Sequence, residues 1–287
     1  MNHSAEIFVA LQRLLPKHAV SRLIAKLAES KCRRLKNLLI NRAIKTFDIN
    51  MQEALSDDLD HYENFNAFFT RQLKPDARPL DSEDNSAVSP ADGAISQAGK
   101  ITDHRIIQAK GVDYSLNRLI GDSNQGKLYN HGTFATIYLS PKDYHRVHIP
   151  VDGQLLSTRY IPGELFSVNK QTTEALPGLF ARNERLVCEF KSQQIGHFSV
   201  IFVGAMLVAG IETVWGGFEP PGPGAVRETD YSTENLMFSK GAEIGRFKFG
   251  STVIMLFQDR AITLDNFIKP SAIVKMGDKI GMLSTTN

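Results

Sequence analysis

Three short stretches of this chain carry residue types that do chemistry. The first is Ser89–Pro90–Ala91–Asp92–Gly93, an Asp-Gly turn that opens a strand. Asp-Gly is a favoured turn dipeptide, so on its own this stretch reads as structural. The second is Tyr144–His145–Arg146–Val147–His148–Ile149–Pro150. Two histidines at i and i+3 would share a face on a helix and could bind a metal there. Val147, Ile149 and Pro150 favour a strand instead, where i and i+3 point to opposite faces. No shared metal is expected, and the two rings should have separate jobs. The third is Gly245–Arg246–Phe247–Lys248–Phe249–Gly250–Ser251–Thr252–Val253–Ile254, a Gly-Ser-Thr between two β-type runs. The nucleophile elbow G-x-S-x-G is absent, because Phe249 stands two residues before Ser251. Asp92, His148 and Ser251 can still form an Asp–His–Ser set, since such sets are defined by geometry and not by order.

The elements that must position these residues are of two textures. From about residue 87, short β-branched or aromatic runs recur between Gly, Pro, Asn and Asp turns: Thr133–Leu139, Arg146–Ile149, Leu186–Phe190, Phe198–Val203, Ile211–Val214 and Thr252–Phe257. That spacing predicts a mainly antiparallel β body. The stretch Gly216–Gly224 is too rich in Gly and Pro for regular structure and is expected as a loop or an excursion from the sheet. Before the body, Val20, Leu23, Ile24 and Leu27 fall at helical spacing, and Leu35, Leu38, Leu39 and Ala43 approximate it again. Pro16 divides that region. A further helix is predicted over roughly 64–73, with Phe65, Phe68, Phe69 and Leu73 on one face as the anchor to the body. The fold class is therefore α+β: N-terminal amphipathic helices over 1–75, then a mainly antiparallel β domain over 76–287.

Charge separates the same two regions. The first 46 residues hold ten Lys/Arg against two acids, a net +8, while the whole chain is only +2 and its remainder is −6. A basic end on an acidic body points to an anionic surface as partner. Lipid is favoured over nucleic acid, because the segment has no Tyr or Trp for base stacking. Cationic helices with short apolar stripes suit a headgroup layer, and no apolar window reaches the length of a membrane span. The N-terminus also lacks the pattern of a secretory signal. Cys32 and Cys188 are in no metal-type spacing and read as reduced thiols of a cytosolic compartment.

Taken together, SPADGAISQAGKI (89–101), LSPKDYHRVHIPVDG (139–153), PGELFSVN (162–169), LFARNER (179–185) and GRFKFGSTV (245–253) resemble the bacterial phosphatidylserine decarboxylases, over nearly the whole chain. One departure is Phe249, where bacterial members usually have Leu; both are bulky and apolar. The resemblance implies a proenzyme that cuts itself between Gly250 and Ser251. Ser251 Oγ attacks the Gly250 carbonyl, which has no neighbouring Cβ to hinder it, with His148 as base. Asp92 is expected to hold the His148 tautomer. Residue 251 then becomes a pyruvoyl group, the covalent cofactor that forms a Schiff base with the serine headgroup. His145, as an imidazole titrating near neutrality, is the expected group for decarboxylation and reprotonation. Ser167 is a weaker candidate for headgroup contact. By the same resemblance, chains 1–250 and 251–287 stay associated, processed protomers pair as homodimers, and the enzyme sits peripherally on the cytoplasmic face of the membrane.

Two rival readings share these residues. A membrane-surface Ser-His-Asp lipid hydrolase would use Asp92, His148 and Ser251 without cleaving itself. A lipid-binding protein without activity would need the basic helices and not Ser251.

Overall fold

The computed structural model describes residues 9–10, 12, 17–109, 111–206, 210–219, 224–248 and 251–284. The expectations placed on Pro16, Phe249 and Gly250 fall outside the described residues.

Among the described residues, α1 (Lys17–Ala28) and α2 (Arg33–Phe47) precede the body, followed by the short α3 (Phe65–Phe69). The strands begin with β1 (Ser86–Val88), β2 (Gly93–Lys100), β3 (Arg105–Ala109), β4 (Val112–Ser115), β5 (Thr133–Leu139) and β6 (Arg146–His148). They continue with β7 (Gly153–Ile161), β8 (Arg185–Ser192), β9 (Gly196–Val203), β10 (Gly210–Thr213), β11 (Gly217–Glu219) and β12 (Arg227–Asp230). The last six are β13 (Met237–Phe238), β14 (Glu243–Lys248), β15 (Ser251–Phe257), β16 (Ile262–Leu264), β17 (Ile273–Val274) and β18 (Lys279–Leu283).

Among the described residues the largest sheet has nine strands, in the order β12-β7-β8-β9-β15-β5-β2-β17 with β13 beside β7. A four-stranded sheet runs β11-β10-β14-β6, a three-stranded one β1-β18-β16, and β3 pairs with β4. These strand pairings are antiparallel, as the turn spacing predicts.

The centre of the large sheet is buried on both faces, which explains the unbroken apolar run in β15. Val253, Met255 and Phe257 enter one apolar cluster, together with Val147, Ile211, Ile244 and Phe247 of the four-stranded sheet. Ile254 and Leu256 enter a second cluster on the other face, with Leu116, Leu119, Leu179 and Phe180 from short helices. A third, separate cluster holds the helical region around Ile40, Phe65, Phe68 and Phe69.

Two local expectations are corrected. The helix predicted over 64–73 stops at Phe69: Asn64 caps its start by accepting from the Ala67 N–H, and beyond Thr70 the backbone pairs with 53–55 instead. Leu73 forms a bridge with Ala54 there. The stretch expected as a loop after Gly216 contains β11, which pairs with β10; residues 220–223 lie outside the described set.

Candidate active site

The Gly-Ser-Thr segment sits where the chain passes between sheets. β14 ends at Lys248 in the four-stranded sheet, and β15 begins at Ser251 in the large one. Ser251 pairs with Leu139 at the end of β5. Strand alternation puts its side chain on the face of Val253 and Met255, the face that the four-stranded sheet covers. Ser251 is fully buried and its Oγ has no hydrogen-bond partner among the described residues. A buried hydroxyl without a partner is costly, and the Thr133, Thr136 and Thr252 hydroxyls of β5 and β15 share that condition.

The histidine segment runs alongside. The turn after β5 is closed by Asp143, whose carboxylate accepts from the Ser140 N–H and Oγ, both at 2.7 Å. Burial raises the Asp143 pKa. His145 follows, and its backbone carbonyl accepts from the Phe247 N–H at 3.0 Å. The connection from β5 to β6 therefore lies beside the end of β14. The His145 ring is fully buried, 4.0 Å from the Phe69 ring, with Nδ1 donating to the Asp143 carbonyl at 2.8 Å and Nε2 unpartnered. Burial, reinforced by the charge of Arg71, pushes its pKa down to about 3. The expectation of an imidazole titrating near neutrality is corrected on that ground: at rest the ring is neutral.

His148 faces other neighbours. Its Nδ1 donates to the Gly241 carbonyl at 2.8 Å, and Tyr144 Oη lies 3.3 Å from Nε2. Burial lowers its pKa, partly countered by the Gly241 carbonyl and by Glu243. Burial pushes the Tyr144 hydroxyl up to about 12.

Asp92 is not bonded to His148. Its carboxylate accepts from Arg78 Nε at 2.8 Å, Arg78 Nη2 at 2.5 Å and the Met276 N–H at 2.9 Å. Arg78 also donates to Glu53 at 2.7 Å. The expectation that Asp92 holds the His148 tautomer is thus corrected: a backbone carbonyl does so, because the carboxylate is taken by a guanidinium. The Asp92 turn is nevertheless adjacent, since the His148 N–H donates to the Pro90 carbonyl at 2.8 Å. Asp92 acts on His148 through space, favouring its charged form. Gly93 has to be glycine here, as a Cβ would stand 2.3 Å from the Tyr138 carbonyl oxygen of β5.

Ser167 lines a cavity of about 180 Å³ together with Phe65, Phe69, Tyr138 and Leu139. Its N–H donates to Gln12 Oε1 at 2.9 Å. The cavity shares Leu139 with the Ser251 register and Phe69 with the His145 ring. Sequence reasoning missed Arg78, Arg71 and Phe69 as neighbours of the site. The two arginines belong to no motif, and the helical spacing of Phe69 marks it only as an anchor.

Ser251 opens β15, and at the end of β14 the Phe247 N–H donates to the His145 carbonyl, so the serine and histidine segments converge on one part of the body. The family model described as phosphatidylserine decarboxylase matches residues 65–282, and one described as PSD matches residues 7–48. The chain is 50% identical over 285 residues to the phosphatidylserine decarboxylase proenzyme of Alcanivorax borkumensis, covering 98% of each. It is 48% identical to that of Saccharophagus degradans, again with 98% of each covered, and 49% identical to that of Shewanella pealeana, with 95% of this chain and 96% of the relative covered. The chain belongs to the phosphatidylserine decarboxylase family and is a carboxy-lyase. The hydrolase alternative is not favoured.

Proposed function

We propose that this chain decarboxylates phosphatidylserine to phosphatidylethanolamine, using a pyruvoyl group made from Ser251 by self-cleavage. The observation that carries this reading is the buried Ser251 Oγ at the start of β15, unpartnered among the described residues, just after a strand of another sheet ends at Lys248. His148 takes the hydroxyl proton at Nε2 in place of its contact with the Tyr144 hydroxyl, while the Gly241 carbonyl keeps the proton on Nδ1 and the Asp92 charge favours the imidazolium. Ser251 Oγ bonds to the Gly250 carbonyl carbon, the C–N bond breaks, and the proton passes to the freed nitrogen. Loss of the Ser251 α-proton then expels the Gly250 carboxylate, and water releases ammonia from residue 251.

Both ends of such a cut stay anchored. β14 is held by β6 and β10, β15 by β5 and β9, and the Met276 N–H still grips Asp92. The pyruvoyl carbonyl supplies the electron sink that amino-acid decarboxylation needs. His145 Nε2 has no other bond among the described residues, and with Nδ1 holding the ring proton it is the nitrogen that would take up and pass on the proton that restores the carbon. Ser167 and the apolar walls of its cavity suit the headgroup and the start of the acyl chains.

Residues 1–75 serve as the membrane-contact region in this reading, and 76–287 as the catalytic domain. Leu23 and Leu38 are 61% and 65% exposed among the cations of α1 and α2. Among the described residues no helix is long and apolar enough to cross a membrane. The contact in this reading is peripheral, on the cytoplasmic face, and the processed protomers pair as homodimers.

Intact-mass spectrometry and CO2 release test the proposal together. The active protein is expected as two chains with a carbonyl at residue 251, and Ser251→Ala as one silent chain. An active sample that is a single unbroken chain would refute it.

A further inference from the structure

Most buried arginines among the described residues fill their donors. Arg78 bonds Asp92, Glu53 and the Ala77 carbonyl. Arg159 bonds Asp122, Glu228 and Gln125. Arg185 bonds the carbonyls of Leu119, Asn183 and Arg118. Arg71 differs. It is only 4% exposed, yet its one hydrogen bond among the described residues runs from Nη2 to the Lys142 carbonyl at 3.1 Å, and Nε and Nη1 are buried without partners. Its guanidinium carbon lies 5.6 Å from the Phe68 ring centroid, a weak substitute for an anion. Burial lowers its pKa, with Asp92 and Glu53 acting only from a distance.

Arg71 is linked to the site through Lys142 and through its charge on His145. Lys142 belongs to the turn that joins β5, whose Leu139 pairs with Ser251, to His145. The neighbouring Phe69 touches the His145 ring, and the Arg71 charge acts on that ring. A cavity of about 130 Å³ is lined by Arg71, Arg146, His61 and Tyr62.

We propose that Arg71 receives the phosphodiester of the lipid substrate on its unfilled donors. This rests on the functional reading above. A buried guanidinium with open N–H groups is stabilised by an anion that brings acceptors. The substrate offers two, a carboxylate and a phosphodiester. A cation on the carboxylate would stabilise the ground state of a group whose charge leaves with CO2, which opposes catalysis. The phosphodiester keeps its charge throughout the reaction. Covering Arg71 with that anion would also relieve the field that disfavours protonated His145.

The test compares processed wild type, Arg71→Met and Arg71→Lys, each checked by intact mass for two chains and the pyruvoyl group. Substrates are a short-chain phosphatidylserine in mixed micelles and a long-chain alkyl ester of serine, which lacks phosphate. Arg71→Met is expected to lower kcat/KM for phosphatidylserine by about tenfold to a hundredfold, chiefly through KM, with partial recovery in Arg71→Lys. The phosphate-free ester should lose little. Equal loss on both substrates would overturn the proposal, since a structural or carboxylate-binding role affects both. Should the variants remain uncut, inhibition of wild type decides: glycerophosphoethanolamine must inhibit far better than ethanolamine, and equal inhibition overturns the proposal. A wild type that carries no carbonyl at 251 would sink the functional reading instead.

Discussion

The β15 strand and the α1–α2 helices both carry rows of apolar residues, and only the strand hides its row. Val253 through Phe257 are fully buried between two apolar clusters, whereas Leu23, Leu27 and Leu38 remain exposed on the helices. The helices are not loosely attached for that reason. Lys36 is buried, donating to the Leu59 and Tyr62 carbonyls at 2.8 Å, and Glu29 accepts from Asn64 and Asn66 and lies 3.6 Å from Lys248. The difference teaches that β15 buries its whole apolar run inside the body, while the helices bury Ala28, Ile40 and Ala43 in a cluster of their own and leave Leu23, Leu27 and Leu38 exposed.

The comparison can be broken most forcefully in the strand. Phe257→Ala should cost about 3–5 kcal/mol in chemical denaturation, because the ring is fully buried against Phe198; a loss below about 1 kcal/mol would show that the site collapses without penalty. Arg78→Met should come next, at about 3 kcal/mol, since it leaves the Asp92 carboxylate buried without its cation. Slower appearance of the two chains on denaturing gels should accompany it.

A smaller effect is read with pH. The folded pKa of His145 is depressed to about 3, so the unfolded chain binds a proton that the folded chain refuses between that value and the ordinary 6.5. Stability from this group is intact above the unfolded value and is lost as pH falls toward about 3. His145→Phe should flatten that part of the stability profile; an unchanged slope would mean the ring is not held neutral. The smallest stability effect belongs to the helices. Leu23→Ser with Leu38→Ser should change unfolding free energy by no more than about 0.5 kcal/mol each, yet weaken sedimentation with anionic vesicles. Unchanged vesicle binding would remove the membrane role of this face.

Much of the fold was legible because strand runs and turns are local signals. Thr133–Leu139 appears as a strand with the same ends, and the other five runs lie within a residue or two of theirs. The short α3 was overestimated because helical spacing alone cannot show that 72–74 pair with 53–55. The site residues Asp92, His145, His148 and Ser251 were visible as residue types in motifs. Their partners were not.

By itself, the sequence determined the alternation of short strands, the basic helical end and which side chains could react, since these depend on residues close together along the chain. Only the tertiary structure decided that Arg78 takes Asp92, that Gly241 orients His148 and that Arg71 lies buried beside His145. Those pairings join residues from distant segments, and burial there sets proton affinities that no local pattern encodes.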